Sequence, residues 1–72
     1  MQKVKKFKVW IAEQRLNKGL TQRELAKELG VTAFTIHNFE NGKSVPRLCN
    51  VKKICEFFNV TPKQVREMIE VQ

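Results

Sequence analysis

Few residues in this chain could run a reaction. There is one histidine, His37, and two cysteines, Cys49 and Cys55, and all seven acidic residues are glutamates. A nucleophile needs a base beside it, and a zinc ion needs about four suitably spaced ligands. Two Cys and one His at these spacings match no such ligand set. The cysteines lie six residues apart in one helical pattern. Six residues turn through roughly 600°, so the thiols point to different faces of a straight helix and cannot pair. Both read as free thiols, as a reducing compartment allows. An enzyme, a metal centre and a cofactor are therefore not expected.

What remains is recognition chemistry. Lys and Arg number 14 against 7 Glu, a net charge of +7 that favours a polyanion. Nucleic acid and an anionic membrane surface are the candidates. The excess concentrates at the amino end, where residues 1–23 carry seven basic side chains against one acidic. Lys3, Lys5, Lys6 and Lys8 form either a solvated start to the first helix or a basic arm near a phosphate backbone. A membrane-surface peptide would account for the charge but not for a glycine-punctuated series of helical patterns. No apolar run suits a signal peptide or a membrane span, and a cytoplasmic location is expected.

The polar groups best placed for contact lie in residues 21–41, TQRELAKELGVTAFTIHNFEN. Ala33, Phe34, His37, Asn38 and Asn41 share one face of a helical pattern that buries Ile36 and Phe39 on the other. Thr32 is the N-cap of that helix. A preceding pattern opens at Thr21 with Glu24 at capping-box spacing and carries Leu25, Ala26 and Leu29 inward. Gly30 supplies the left-handed turn between the two. A helix held steeply by its neighbour, with one face free, is a probe.

The surrounding elements must hold that probe. The first helix is expected from about Val4 or Lys5 to Lys18, with Phe7, Ile11 and the core-edge Trp10 inward and Gly19 as its stop. Asn41-Gly42 is a turn, and residues 42–46 form a loop. Pro46 stands before or at the start of a fourth helix from about Arg47 to Phe58, with Leu48, Val51, Ile54, Cys55 and Phe58 inward. Thr61-Pro62-Lys63-Gln64 opens a fifth, carrying Val65, Met68 and Ile69, with Val71 extending the stripe. Seventy-two residues are expected to form one domain, 1–72, with 1–6 as basic arm or helix start, and no small-molecule-binding domain is expected within them.

Gln22, Leu25, Ala26, Leu29, Gly30, Val31, Ile36, Phe39, Glu40 and Gly42 fall where the phage-repressor and Cro-like helix-turn-helix family places its signature residues. The resemblance extends to Arg15, Leu20-Thr21-Gln22, Pro46 and Asn59-Val60-Thr61, and covers most of residues 7–70. It implies an all-α, compact five-helix, lambda-repressor-like DNA-binding domain with the motif at helices two and three. The second helix of the motif, about 32–41, would lie in the major groove while the first crosses the backbone.

Residue roles follow from the same resemblance. Ala33, Phe34, His37 and Asn38 fall at base-facing positions. The Asn38 amide can pair with the N6/N7 edge of adenine, and Ala33 offers a methyl group. Phe34 departs from the polar residue often found there; it either packs on a thymine methyl or folds back onto the protein. Gln22, Thr32, Lys43 and Arg47 fall at phosphate-contacting positions, with Thr32 also serving as a cap. Arg15 and Glu40 match a structural salt bridge. The implied activity is sequence-specific double-stranded-DNA-binding transcriptional regulation, repression being the expected direction. The implied partner is an operator of two half-sites, bound by a homodimer that forms in solution or only on DNA. An antitoxin-like or partner-binding module is the alternative, using Trp10, Met68, Ile69 and Val71 against another protein.

Overall fold

Local signals decide where each helix begins and ends. The computed structural model describes residues 5–71. Five helices follow one another: α1 (Phe7–Asn17), α2 (Gln22–Leu29), α3 (Ala33–Glu40), α4 (Leu48–Phe58) and α5 (Pro62–Glu70). Among the described residues there is no strand. Reciprocal capping boxes open α2 and α5: Thr21 Oγ1 accepts from the Glu24 amide and Thr61 Oγ1 from the Gln64 amide, and Glu24 and Gln64 each bond back to the cap amide. Thr32 Oγ1 accepts from the Thr35 amide at 3.1 Å and opens α3.

The exits share one device. After α2, the Val31 amide returns to Ala26 O at 2.9 Å and the Gly30 amide to Lys27 O at 3.3 Å, around Gly30 at φ 70°. This pairing satisfies helix-end carbonyls and turns the chain sharply. The same long return bond runs from Leu20 to Arg15 after α1, Lys43 to Asn38 after α3 and Val60 to Cys55 after α4. After α4 the left-handed residue is Asn59 (φ 56°).

Two boundaries differ from expectation. Helix α1 starts at Phe7; Val4 lies outside the described residues, and Lys5 and Lys6 precede the helix. Lys6 is extended (ψ 141°) and has no capping side-chain bond, while Lys5 Nζ pairs with Glu13. The Lys5 and Lys6 ammonium groups would meet the positive end of the helix if it ran further back. Helix α4 starts at Leu48, because Arg47 is extended (ψ 165°) and occupies the cap position.

The core is one cluster. Phe7, Ile11, Leu25, Ile36, Ile54 and Val65 have no exposed surface, and Ala26, Leu29, Phe39, Val51, Cys55, Phe58 and Met68 complete it. Phe7 meets Phe39 edge-on at 5.8 Å, and Trp10 meets Phe58 edge-on at 5.5 Å. Helix α3 packs on both α2 and α1, α4 packs on α2 and α5, and α5 closes against α1. Small Ala26 stands in the buried α2 stripe, where a larger side chain would push α3 away. Leu48, expected inward, is 58% exposed. It is the first residue of α4, on the rim of a groove shared with Arg66 and Ile69 of α5, while Pro46 is buried. Met68 lies in the core, so it offers no docking surface.

Candidate nucleic-acid interface

A probe helix works only if its angle is fixed. Here a polar clamp fixes it. Arg15 on α1 donates from Nε to Glu40 Oε2 at 2.7 Å and from Nη2 to Oε1 at 3.2 Å. Its third arm, Nη1, donates to Leu20 O at 2.8 Å, at the α1–α2 turn. The pair is largely shielded, with side-chain exposures of 15% and 8%. The end of α3 is thus tied to α1 and to the start of α2 at once. The bidentate geometry is the one guanidinium and carboxylate match best.

Gln22 joins the clamp. Its Nε2 donates to Glu40 Oε1 at 3.0 Å, so the side chain leans toward α3 and is not a free surface amide. Sequence spacing places Gln22 at the mouth of α2, but a contact across 18 residues becomes visible only in the fold.

The free face of α3 carries the expected residues in graded exposure. Phe34 is 71% exposed, so the alternative in which it folds back onto the protein is not adopted. His37 is exposed, Asn38 is half-buried, and Ala33 is half-buried with its methyl against the core. Thr32 and Thr35 hydroxyls pair at 2.9 Å at the start of the helix. One neighbour was not given a role by the sequence: the Asn41 amide reaches back to His37. The i, i+4 spacing of His37 and Asn41 is the signal that could have found it.

Basic groups rim this face. Lys43 and Arg47 are exposed on the loop after α3. The Lys8 side chain lies against Gly42, its Cδ 3.1 Å from where a Cβ at Gly42 would stand. Lys53 Nζ lies 3.4 Å from the corresponding point at Gly30, the turn of the motif. Among the described residues no group of three or more His, Cys, Asp or Glu could hold a metal. Both cysteines are free, Cys49 exposed and Cys55 buried. Burial, helped by the adjacent Glu56 charge, pushes the Cys55 thiol pKa up. Among the described residues no helix is long and apolar enough to cross a membrane.

Two helices joined at a left-handed glycine, the second clamped at its far end and open on one face, form a helix-turn-helix, and residues 11–65 match the family model described as Helix-turn-helix. The chain belongs to the helix-turn-helix family. It is 38% identical over 55 residues to the HTH-type transcriptional activator BcrR of Enterococcus faecalis, a match covering 76% of this chain and 27% of that protein. It is 47% identical over 49 residues to an uncharacterized HTH-type transcriptional regulator of Archaeoglobus fulgidus, covering 68% of this chain and 70% of the relative. The chain therefore spans about a quarter of the one relative's length and more than two thirds of the other's. Among solved structures, the DNA-binding domain of the P22 C2 repressor superposes with a TM-score of 0.78 at 18% identity, over 92% of this chain and 87% of that one. The fold is thus the five-helix, phage-repressor type.

Proposed function

We propose that this helix-turn-helix chain is a sequence-specific double-stranded-DNA-binding transcriptional regulator whose α3 enters the major groove. The observation that carries the reading is the clamp of Arg15, Gln22 and Glu40, which fixes α3 while leaving Phe34, His37 and Asn38 open to a partner. Eight helical residues span ~12 Å, and the major groove of B-DNA is ~12 Å wide. Half-buried Ala33 keeps the leading end of the helix slim. Phe34 then meets a thymine methyl and the Asn38 amide an adenine edge.

Backbone grip comes from Lys43 and Arg47 at one end and from Thr32 and the start of α2 at the other. Since one hydrogen of Gln22 Nε2 is committed to Glu40, phosphate contact at that position uses the second hydrogen and the backbone at the helix start. The +7 charge, concentrated in residues 1–23, favours a polyanionic partner. Repression is the expected direction, since a domain seated on a promoter blocks by occupancy; one relative is named a transcriptional activator. The site of action is the cytoplasm, on chromosomal or mobile DNA.

Two half-sites about one helical turn apart, ~34–36 Å, would be read by two copies. Leu48 (58% exposed) lines a groove with Pro46, Val51, Arg66, Ile69 and Glu70, and this surface replaces Met68 as the candidate contact between copies. Selection from a random duplex pool tests the reading: one recurring motif should be enriched, with binding that falls steeply as salt rises. Lys43→Ala should lower the log–log salt slope by about 0.9 and weaken all sequences alike. Asn38→Ala should cost about 1–3 kcal/mol at one base position. A pool that enriches no motif would remove the proposal.

A further inference from the structure

The far half of α3 holds a side-chain pair, His37 and Asn41, to which the reading above assigns no base contact. Asn41 caps the helix and turns its amide back over the last turn. Its Nδ2 lies 2.7 Å from the His37 backbone oxygen and 3.3 Å from Nδ1 of the same His37. A carbonyl oxygen can only accept, so the amide atom facing it is the nitrogen and not Oδ1. That nitrogen can only donate, so His37 Nδ1 must accept. A neutral imidazole has one accepting and one protonated nitrogen. The proton therefore sits on Nε2.

We propose that Asn41 is a positioning residue that holds His37 in its Nε2–H form, and that His37 thereby reads a hydrogen-bond acceptor on a major-groove base edge, guanine above all. The inference rests on the placement of α3 in the groove. Guanine is favoured because it presents two acceptors side by side, N7 and O6, and a single N–H can bond either. Adenine sets an amino donor beside its N7, thymine a methyl group beside its O4, and cytosine offers only a donor. The opposite tautomer would present an accepting Nε2 and prefer adenine N6 or cytosine N4. An untethered ring could adopt both, and its discrimination would fall. Asn41 also limits rotation of the ring, because one amide nitrogen is shared between ring and backbone.

Both residues are exposed, so substitutions there do not empty the core. The first experiment uses the free ¹⁵N-labelled chain at about pH 8, above the usual imidazole range. Long-range ¹H–¹⁵N correlation should show the Nε2–H tautomer, and Asn41→Ala should raise the Nδ1–H population. An Nδ1–H ring in the parent, or no change in the variant, overturns the positioning role whether or not the protein binds DNA. The second experiment selects duplexes with the parent chain, His37→Ala, His37→Gln and Asn41→Ala. One motif position should show a ~3- to 10-fold guanine preference, the scale of one hydrogen bond. His37→Ala should abolish it, Asn41→Ala should reduce it, and His37→Gln should restore part of it through its amide N–H. The double variant His37→Ala/Asn41→Ala should be no worse at that position than His37→Ala. A parent that enriches no motif defeats the DNA-binding reading and this base assignment with it. A motif that both His37→Ala and Asn41→Ala leave intact defeats the base assignment alone.

Discussion

Replacing Glu40 with alanine strands Arg15. In the parent the guanidinium makes two bonds to Glu40 and one to Leu20 O, at 15% side-chain exposure. After the substitution only the Leu20 bond remains, and a shielded charge has lost its counter-ion. Breaking such a pair from one side costs ~3–5 kcal/mol, and the residual exposure of Arg15 argues for the lower end. At ~0.05–0.15 kcal/mol per residue, 72 residues give a total stability of ~4–11 kcal/mol. The loss is thus a large share of the whole. In a domain of this size ~3 kcal/mol lowers the thermal midpoint by ~12–24 °C. Urea unfolding followed by the fluorescence of the single tryptophan, Trp10, which packs on Phe58, gives the number directly. The double substitution Arg15→Met/Glu40→Leu should recover most of the loss, because removing both charges leaves none unpaired. Glu40→Gln should fall between, at ~1–3 kcal/mol, since one carbonyl oxygen must then serve the donors of Arg15 and Gln22. A Glu40→Ala loss below ~1 kcal/mol, with no coupling in the double variant, is the behaviour of an exposed pair and would refute the clamp.

Three further outcomes are expected. Gly30→Ala should destabilise the fold by ~1–2 kcal/mol in urea melts, because φ 70° is strained for a side chain, while the nearest obstacle is only the movable end of Lys53; Gly30→Asn should cost less, as Asn59 already holds that conformation here. A thiol reagent at mildly alkaline pH should modify Cys49 quickly and Cys55 only on unfolding, because burial raises the Cys55 pKa and keeps it protonated as pH rises past the usual thiol range; equal native rates would contradict the packing of α4. Leu48→Glu should leave the melting curve nearly unchanged but weaken association of two copies on a two-site duplex in sedimentation, and an unchanged complex mass would clear that surface of the role.

Capping and burial were readable in the sequence because they are short-range. Thr21 with Glu24, Thr61 with Gln64, and Gly30 each act within a few residues, and the structure keeps all three. The inward stripes of α2 and α4 follow the helical repeat, apart from Leu48, which lies at the helix start on the rim of the groove shared with α5. The Arg15–Glu40 pair spans 25 residues and came from resemblance, not from spacing. Gln22 shows the remaining gap: its type and position suit an outward contact, yet a carboxylate from α3 draws it inward. His37 and Asn41 mark the opposite case, a local i, i+4 pair whose meaning depends on hydrogen-bond direction, and spacing alone does not reveal direction.

The shared helix exits have a kinetic consequence. Four of the five helices stop through a bond returning five residues back, so the decision to turn is made inside each segment. Little chain must be closed before the next helix starts, and closure entropy rises with loop length. Helical domains dominated by such local contacts fold in microseconds to milliseconds. Where reclosing outruns capture by partners or proteases, persistence is set by the equilibrium share of the open form, so fast closing protects the chain as much as rare opening does.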